Sequence, residues 1–220
     1  MLRHPFVKFV SDLSVKAFKA NNKGRRYATY DKNFALSLFY ASPKAYRFCS
    51  KLFCLRPSVT MLRLWLRRLH VKPGFCDNVF DMLKQNSVGI ADADCVCVLV
   101  LDEMSLKRGL QYDKNTDEVV GFEDFGGYER SDQYATHALV LMACGIQSRW
   151  KQPLAYFLAH NTTPAAKLKD IVLETIVKMG SVGFAVVCII CDQGATNQQM
   201  FRLFGIISEK PYIEINDSHT

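Results

Sequence analysis

Cys95-Val96-Cys97-Val98-Leu99-Val100-Leu101 runs into Asp102, and Phe184-Ala185-Val186-Val187-Cys188-Ile189-Ile190-Cys191 runs into Asp192. Uninterrupted aliphatic and β-branched runs of this length read as strands buried on both faces, the pattern of central strands in a helix-covered sheet. Each run stops at an acid, which predicts one carboxylate at the end of each strand. Sheets of this kind bind ligands in the crevice outside their strand ends, where a pair of carboxylates can hold divalent cations for phosphoryl chemistry. A lone strand-end aspartate is ordinarily a polar terminus. The repeated context is what singles out Asp102 and Asp192 as catalytic and metal-holding candidates.

Working outward, residues 110–122 read as a β-hairpin turning over Asp113-Lys114-Asn115-Thr116-Asp117, and the polar, Gly-containing residues 123–136 read as a loop. Strands follow at 138–144 and 153–158. Thr163-Pro164 opens a helix over 165–179, Gly180 closes it, and a helix over 195–204 and a strand over 212–215 follow Asp192. The order is strand with acid, two strands, helix, strand with acid, helix, strand. This is an α/β arrangement, an RNase H-like mixed sheet flanked by helices, in which the first and fourth core strands lie side by side in parallel and bring their acids together. Residues 92–220 are assigned to it.

Upstream the chemistry changes. Residues 1–80 hold 16 Lys and Arg against 3 Asp and Glu, whereas residues 81–220 hold 12 against 18. A basic segment points to a polyanion and an acidic one to a site that collects cations. Residues 1–29 read as a short helix and a basic linker. Asp31 starts a helix to about 40, Ser42-Pro43 opens a second, Ser58 caps a third over 59–70, and residues 77–85 form a fourth. Residues 30–86 are therefore expected to form a small all-α, helix-turn-helix-like unit. Arg63, Arg67 and Arg68, with Lys44, Arg47 and Lys51 on the preceding helix, are its nucleic-acid-binding candidates. The plainer readings are a solvated helix face or a protein-protein module.

Eight cysteines are present, and five, at 95, 97, 144, 188 and 191, fall within apolar strand-like runs where cysteine acts as a small hydrophobe. They are expected to be reduced. Cys188 and Cys191 form a C-x-x-C, but positions three apart on a strand face opposite ways, and no second pair or histidine spacing completes a zinc set. No apolar run approaches the ~20 residues that span a bilayer, and residues 1–6 lack a signal-peptide core, so no membrane association and an intracellular address are expected.

Several separated blocks carry a family resemblance. Leu101-Asp102-Glu103-Met104-Ser105-Leu106-Lys107, Tyr112-Asp113, Asp117-Glu118-Val119-Val120-Gly121-Phe122, Trp150-Lys151-Gln152-Pro153 with Tyr156-Phe157-Leu158, and Cys191-Asp192-Gln193-Gly194-Ala195-Thr196-Asn197 resemble the P-element-type DNA transposases. Ala35-Leu36-Ser37-Leu38, Ser42-Pro43-Lys44-Ala45-Tyr46 and Pro73-Gly74-Phe75 look like the segment preceding the catalytic domain in the THAP-domain members of that group. The resemblance spans about residues 30–215. It implies an RNase H-like catalytic core, with Asp102 and Asp192 as the first two acids of a DDE-type triad using Mg²⁺ in a two-metal manner. It further implies DNA at transposon ends or targets as partner, a homo-oligomer in the full-length form, a nuclear location, and GTP use through an insertion downstream of the second acid.

The sequence departs from that pattern in three places. THAP-type zinc ligands are not found at the N-terminus, and neither the GTP-binding insertion nor the third acid is found by Thr220. Glu209 and Glu214 are the only glutamates after Asp192, and neither falls on a following helix. A fragment inactive in strand cleavage is therefore expected; the alternative is a domesticated DNA-binding or regulatory protein without catalysis. Glu103 should face away from Asp102, in a salt link or in solvent, and Asn197 should cap a helix or orient a carboxylate or phosphate; both are candidates to support the two aspartates without ligating metal themselves. Trp150 and Tyr156 could stack on bases, although aromatic residues in apolar strands are more often core, and His137 and His160 read as structural or exposed side chains.

Overall fold

The computed structural model describes residues 27–52, 57–67, 71–114, 116–127 and 129–213. The helix expected within residues 1–20, Arg68 and Glu214 lie outside them. The chain divides into two compact units that meet between His70 and Val71.

The first unit is helical. Helix α1 (Thr29–Ala41) begins two residues before Asp31, which lies in its first turn instead of capping it. Helix α2 (Pro43–Leu52) and helix α3 (Val59–Arg67) start where the sequence signals them. The Ala45 N–H donates to Ser42 Oγ at 3.1 Å and the Met61 N–H to Ser58 Oγ at 3.3 Å, so both serines satisfy donors that a helix start leaves open. Ala35, Phe39, Tyr46 and Leu62 form the core, with Trp65 and Leu66 packed against it. The Tyr46 hydroxyl donates to the Pro57 carbonyl, and burial pushes its pKa up to about 12.

The second unit is a mixed sheet with helices. Its elements are β1 (Gly74–Phe75), α4 (Asp77–Ser87), a short 3-10 helix (Asp92–Cys95), β2 (Val96–Ser105), β3 (Gln111–Asp113), β4 (Glu118–Val120), β5 (Phe122–Asp124), β6 (Arg130–Tyr134), β7 (His137–Gly145), β8 (Lys151–Ala159), α5 (Ala165–Ser181), β9 (Ala185–Ile190) and α6 (Ala195–Leu203). The main sheet runs β6-β5-β8-β7-β2-β9, with β1 on β8 and with β3 and β4 as a separate hairpin. β2 is antiparallel to β7 and parallel to β9, the RNase H-like pairing of acid-bearing strands. The connection that makes the parallel pair possible contains helix α5, as a crossover requires.

One face of the sheet carries the core. Cys97, Leu99 and Leu101 of β2 and Leu139, Leu141 and Ala143 of β7 are buried together with Leu168, Ile171, Val172 and Met179 of α5 and Met200 of α6. Each fully buried aliphatic side chain of this kind contributes about 1.5–3 kcal/mol. Burial also pushes the Cys97 thiol up to about 11, leaving it an inert core group.

Four differences from the sequence reading have physical causes. Residues 123–136 are not a loop: they hold most of β5 and all of β6, whose polar, partly exposed side chains hide their pairing. The last helix expected in the all-α unit, here α4, places Phe80 and Leu83 in the core of the sheet. Neither acid-bearing strand is buried on both faces, because an apolar run does not say whether a second cover exists. Val98 and Val100 are half-buried, and most of β9 is exposed. Tyr212 and Ile213 are not in a strand, and the remainder of that expected strand lies outside the described residues.

Candidate active site

Asp102 is not at the end of its strand. β2 continues through Ser105 because its antiparallel ladder with β7 pairs Asp102 with Val140 and ends only at Ser105 with His137. The parallel ladder on the other edge stops earlier, at Val100 with Ile190. Two residues beyond that last pair stand Asp102, still within β2, and Asp192, past the end of β9. Asp102 is thus held in a strand on one side and opens on the other to the space beyond β9.

Their alignment follows from the register that the ladder keeps after a bulge. Cys97 pairs with Val186, an offset of 89 in residue number, whereas Val98 pairs with Cys188, an offset of 90. Val187 is the extra residue. Continued past the last pair, an offset of 90 would set Asp102 level with Asp192, and an offset of 89 would set it level with Cys191. Residues paired across two strands share a face, and a slip of one residue sends a side chain to the other face. Asp102 alternates with buried Leu101 and so shares a face with Val98 and Val100, partners of Cys188 and Ile190. Both aspartates are exposed.

Asp192 is oriented by the start of α6. Its Oδ1 accepts the Gly194 N–H at 3.0 Å and Asn197 Nδ2–H at 2.6 Å, and the same amide reaches the Asp192 carbonyl at 3.3 Å. Two donors on one oxygen fix the carboxylate's rotation, and the N-terminal end of α6 favours its negative charge. A Cβ on Gly194 would stand 3.0 Å from that oxygen, a tight contact that the carboxylate would have to relieve by shifting a few tenths of an ångström. The neighbouring Cys191 thiol is pushed up by burial first and by Asp192 second.

Asp102 is less constrained. Its Oδ1 accepts the N–H of Glu103 at 2.9 Å. Glu103 points elsewhere, as strand alternation predicts, and its Oε1 accepts the Thr163 N–H at 2.8 Å just before α5. It ties strand to helix and makes no salt bridge among the described residues. Asn197 does not cap, since the N-cap of α6 is Gly194, with no side-chain cap hydrogen bond; its amide instead grips the second aspartate. The spacing of Asp192 and Gly194 before the helix and Asn197 in its first turn was the signal for that grip. The bulge had no signal, since Val187 is one more valine in an apolar run.

No group of three His, Cys, Asp or Glu side chains able to hold a metal occurs among the described residues. Glu209 lies in the turn closed by the Ile207–Lys210 bridge, away from any helix. Two carboxylates nevertheless suit Mg²⁺, which commonly takes one or two protein carboxylates and completes its shell with water and substrate phosphate. The described cysteines are free, with Cys188 exposed and Cys191 half-buried.

In the helical unit, Lys44, Arg47 and Lys51 of α2 and Arg63 and Arg67 of α3 are all exposed. Trp150 packs edge-on against Phe184 at 5.3 Å and donates to the Asp94 carbonyl, and the Tyr156 hydroxyl donates to the Val71 carbonyl; both are structural. His160 is held by the Tyr134 carbonyl and His137 by Thr136. No described helix is long and apolar enough to cross a membrane.

Comparison with known proteins agrees with this architecture. The family model for the TNP-like RNase H N-terminal domain matches residues 71–205, and that for the transposable element P transposase-like HTH domain matches residues 2–65. The human DNA transposase THAP9 is 32% identical over 183 residues, covering 82% of this chain and 20% of the relative. The Drosophila melanogaster transposable element P transposase is 31% identical over 205 residues, covering 93% of this chain and 25% of the relative. A chain of the solved Drosophila P element transposase strand transfer complex superposes with a TM-score of 0.71 at 26% identity, over 94% of this chain and 43% of that one. The chain thus spans a fifth to a quarter of the curated relatives' length. Matching this family across both units, it belongs to the P-element transposase-like proteins, with an HTH domain preceding an RNase H-like domain.

Proposed function

We propose that this chain provides the DNA-binding helices and the first two metal-holding carboxylates of a DDE-type DNA transposase. The observation that supports the reading is the parallel pairing of β2 with β9, whose last pair, Val100 with Ile190, lies two residues short of both Asp102 and Asp192. Asp102 and Asp192 would hold Mg²⁺. When bound, the ion would lower the pKa of an attacking water or 3′-hydroxyl and polarise the scissile phosphodiester. Asn197 and the Gly194 N–H hold Asp192 with Oδ1 engaged, which leaves Oδ2 as its free ligand atom. Glu103 keeps β2 tied to the turn before α5, and so keeps Asp102 in place.

DNA is the partner, reached through Arg63, Arg67, Lys44, Arg47 and Lys51, with Arg68 next in sequence. The nucleus is the compartment that fits such a role, and a homo-oligomer fits the full-length form. GTP, implied by resemblance for longer relatives, has no residue assigned to it here. Calorimetric titration of the full chain with Mg²⁺ in the presence of duplex DNA tests the metal site. Binding heat should be present in the wild type and lost in both Asp102→Asn and Asp192→Asn, with circular dichroism unchanged. Equal metal binding in the three proteins would refute the site and leave the alternative of a DNA-binding or regulatory protein without catalysis.

A further inference from the structure

Helix α2 carries an aromatic side chain that neither the fold nor the metal site uses. Phe48 is 63% exposed and makes no ring contact among the described residues. At 100° per residue it shares one stripe of α2, about 100° wide, with Lys44, Arg47 and Lys51. All three cations are exposed, and none forms an ion pair among the described residues. Residues 32–76 contain neither Asp nor Glu, so nothing in the surrounding sequence neutralises them. From Lys44 to Lys51 the stripe extends about 10 Å along the helix.

The chemistry of that stripe selects its occupant. Three exposed cations in a row, with no ion pair among the described residues, complement a run of backbone phosphates. An exposed phenyl ring adds nothing to phosphate binding and is costly to leave in water. In duplex DNA the base faces are already stacked on each other, whereas in a single strand they are open to an aromatic platform. We propose that the Lys44, Arg47, Phe48 and Lys51 face of α2 binds single-stranded DNA, with Phe48 stacking on an unpaired base. This extends the DNA-processing reading above and rests on it for the choice of nucleic acid, but it needs neither aspartate nor metal.

The test is fluorescence anisotropy of the full chain with labelled oligothymidylate and with a duplex of equal length, in EDTA, over a series of salt concentrations. Phe48→Ala should weaken oligothymidylate binding about tenfold, as for loss of one base stack, without changing the salt slope. It should leave duplex binding within about twofold, and Phe48→Trp should restore the single-strand affinity. Lys51→Ala should instead flatten the single-strand slope by about 0.7. The proposal fails if Phe48→Ala leaves oligothymidylate affinity unchanged, or weakens both DNAs equally. It also fails if the substitution shifts the sedimentation coefficient towards a smaller species, which would make Phe48 a protein contact. Because EDTA is present throughout, loss of the metal site would leave these results untouched, and the two readings can fail separately.

Discussion

Asn197 shows how one side chain can matter without touching a substrate. Its amide meets Asp192 Oδ1 at 2.6 Å from a half-buried position in the first turn of α6. An exposed carboxylate would otherwise rotate freely, and a ligand oxygen that must be ordered on binding costs affinity. Asn197→Ala leaves Gly194 N–H as the sole remaining donor to that oxygen. Mg²⁺ affinity should fall by about 10- to 100-fold, the usual effect of losing a group that orients a metal ligand, while stability moves by less than about 1 kcal/mol. Asn197→Asp should be worse than alanine, since it sets a second negative charge against the first. Titration calorimetry with thermal unfolding of the same samples separates the two effects, and unchanged Mg²⁺ affinity in Asn197→Ala would mean that the grip has no bearing on the metal. The same residue illustrates what the sequence could show. The spacing from Asp192 to Asn197 suggested either capping or orientation, but choosing between them needed the position of the amide, which the path of the turn decides.

At the level of elements, the aspartates are aligned by strand register, and register can be edited. Val187 is 59% exposed and is the extra residue on β9, so deleting it leaves Val186 opposite Cys97 and Cys188 opposite Val98 with no bulge between them. Asp102 and Asp192 stay level, and Mg²⁺ binding should survive. Inserting one alanine between Ile190 and Cys191 displaces Asp192 by a residue and turns its carboxylate away, so binding should be lost although the sheet is intact. Titration of both variants, with circular dichroism as the fold check, decides the point; loss in the deletion and retention in the insertion would show that register does not align the site. The elements also show why part of the fold was readable. Apolar runs in β2, β7, β8 and β9 and the serine caps of α2 and α3 announced themselves through hydrophobic pattern and local hydrogen bonding. Strands β5 and β6 did not, because Glu123, Asp124, Arg130, Asp132 and Gln133 owe their strand conformation to a neighbour already in place. Helix α4 has an ordinary amphipathic pattern, and nothing local in it says that Phe80 and Leu83 pack on the sheet.

For the whole molecule, the division of charge sets the physics of DNA binding. The basic residues concentrate before residue 81 and the acidic ones after it, so phosphate contact should be the work of the helical unit and metal capture that of the sheet unit. Contacts to phosphate release counterions, and each one lost from a duplex complex flattens the plot of log affinity against log salt by about 0.9. Arg63 and Arg67 are exposed and one turn apart on α3, placed to meet neighbouring phosphates. Arg63→Ala and Arg67→Ala should therefore each flatten the duplex slope by about 0.9 and weaken binding alike on unrelated sequences, since phosphates carry no sequence information. Asp102→Asn, measured in EDTA, should leave the slope as it is. If the arginine variants keep the wild-type slope, α3 lies off the DNA and its arginines only solvate the helix. A loss confined to one DNA sequence would be different again, because it would mean that these guanidinium groups read base edges in a groove.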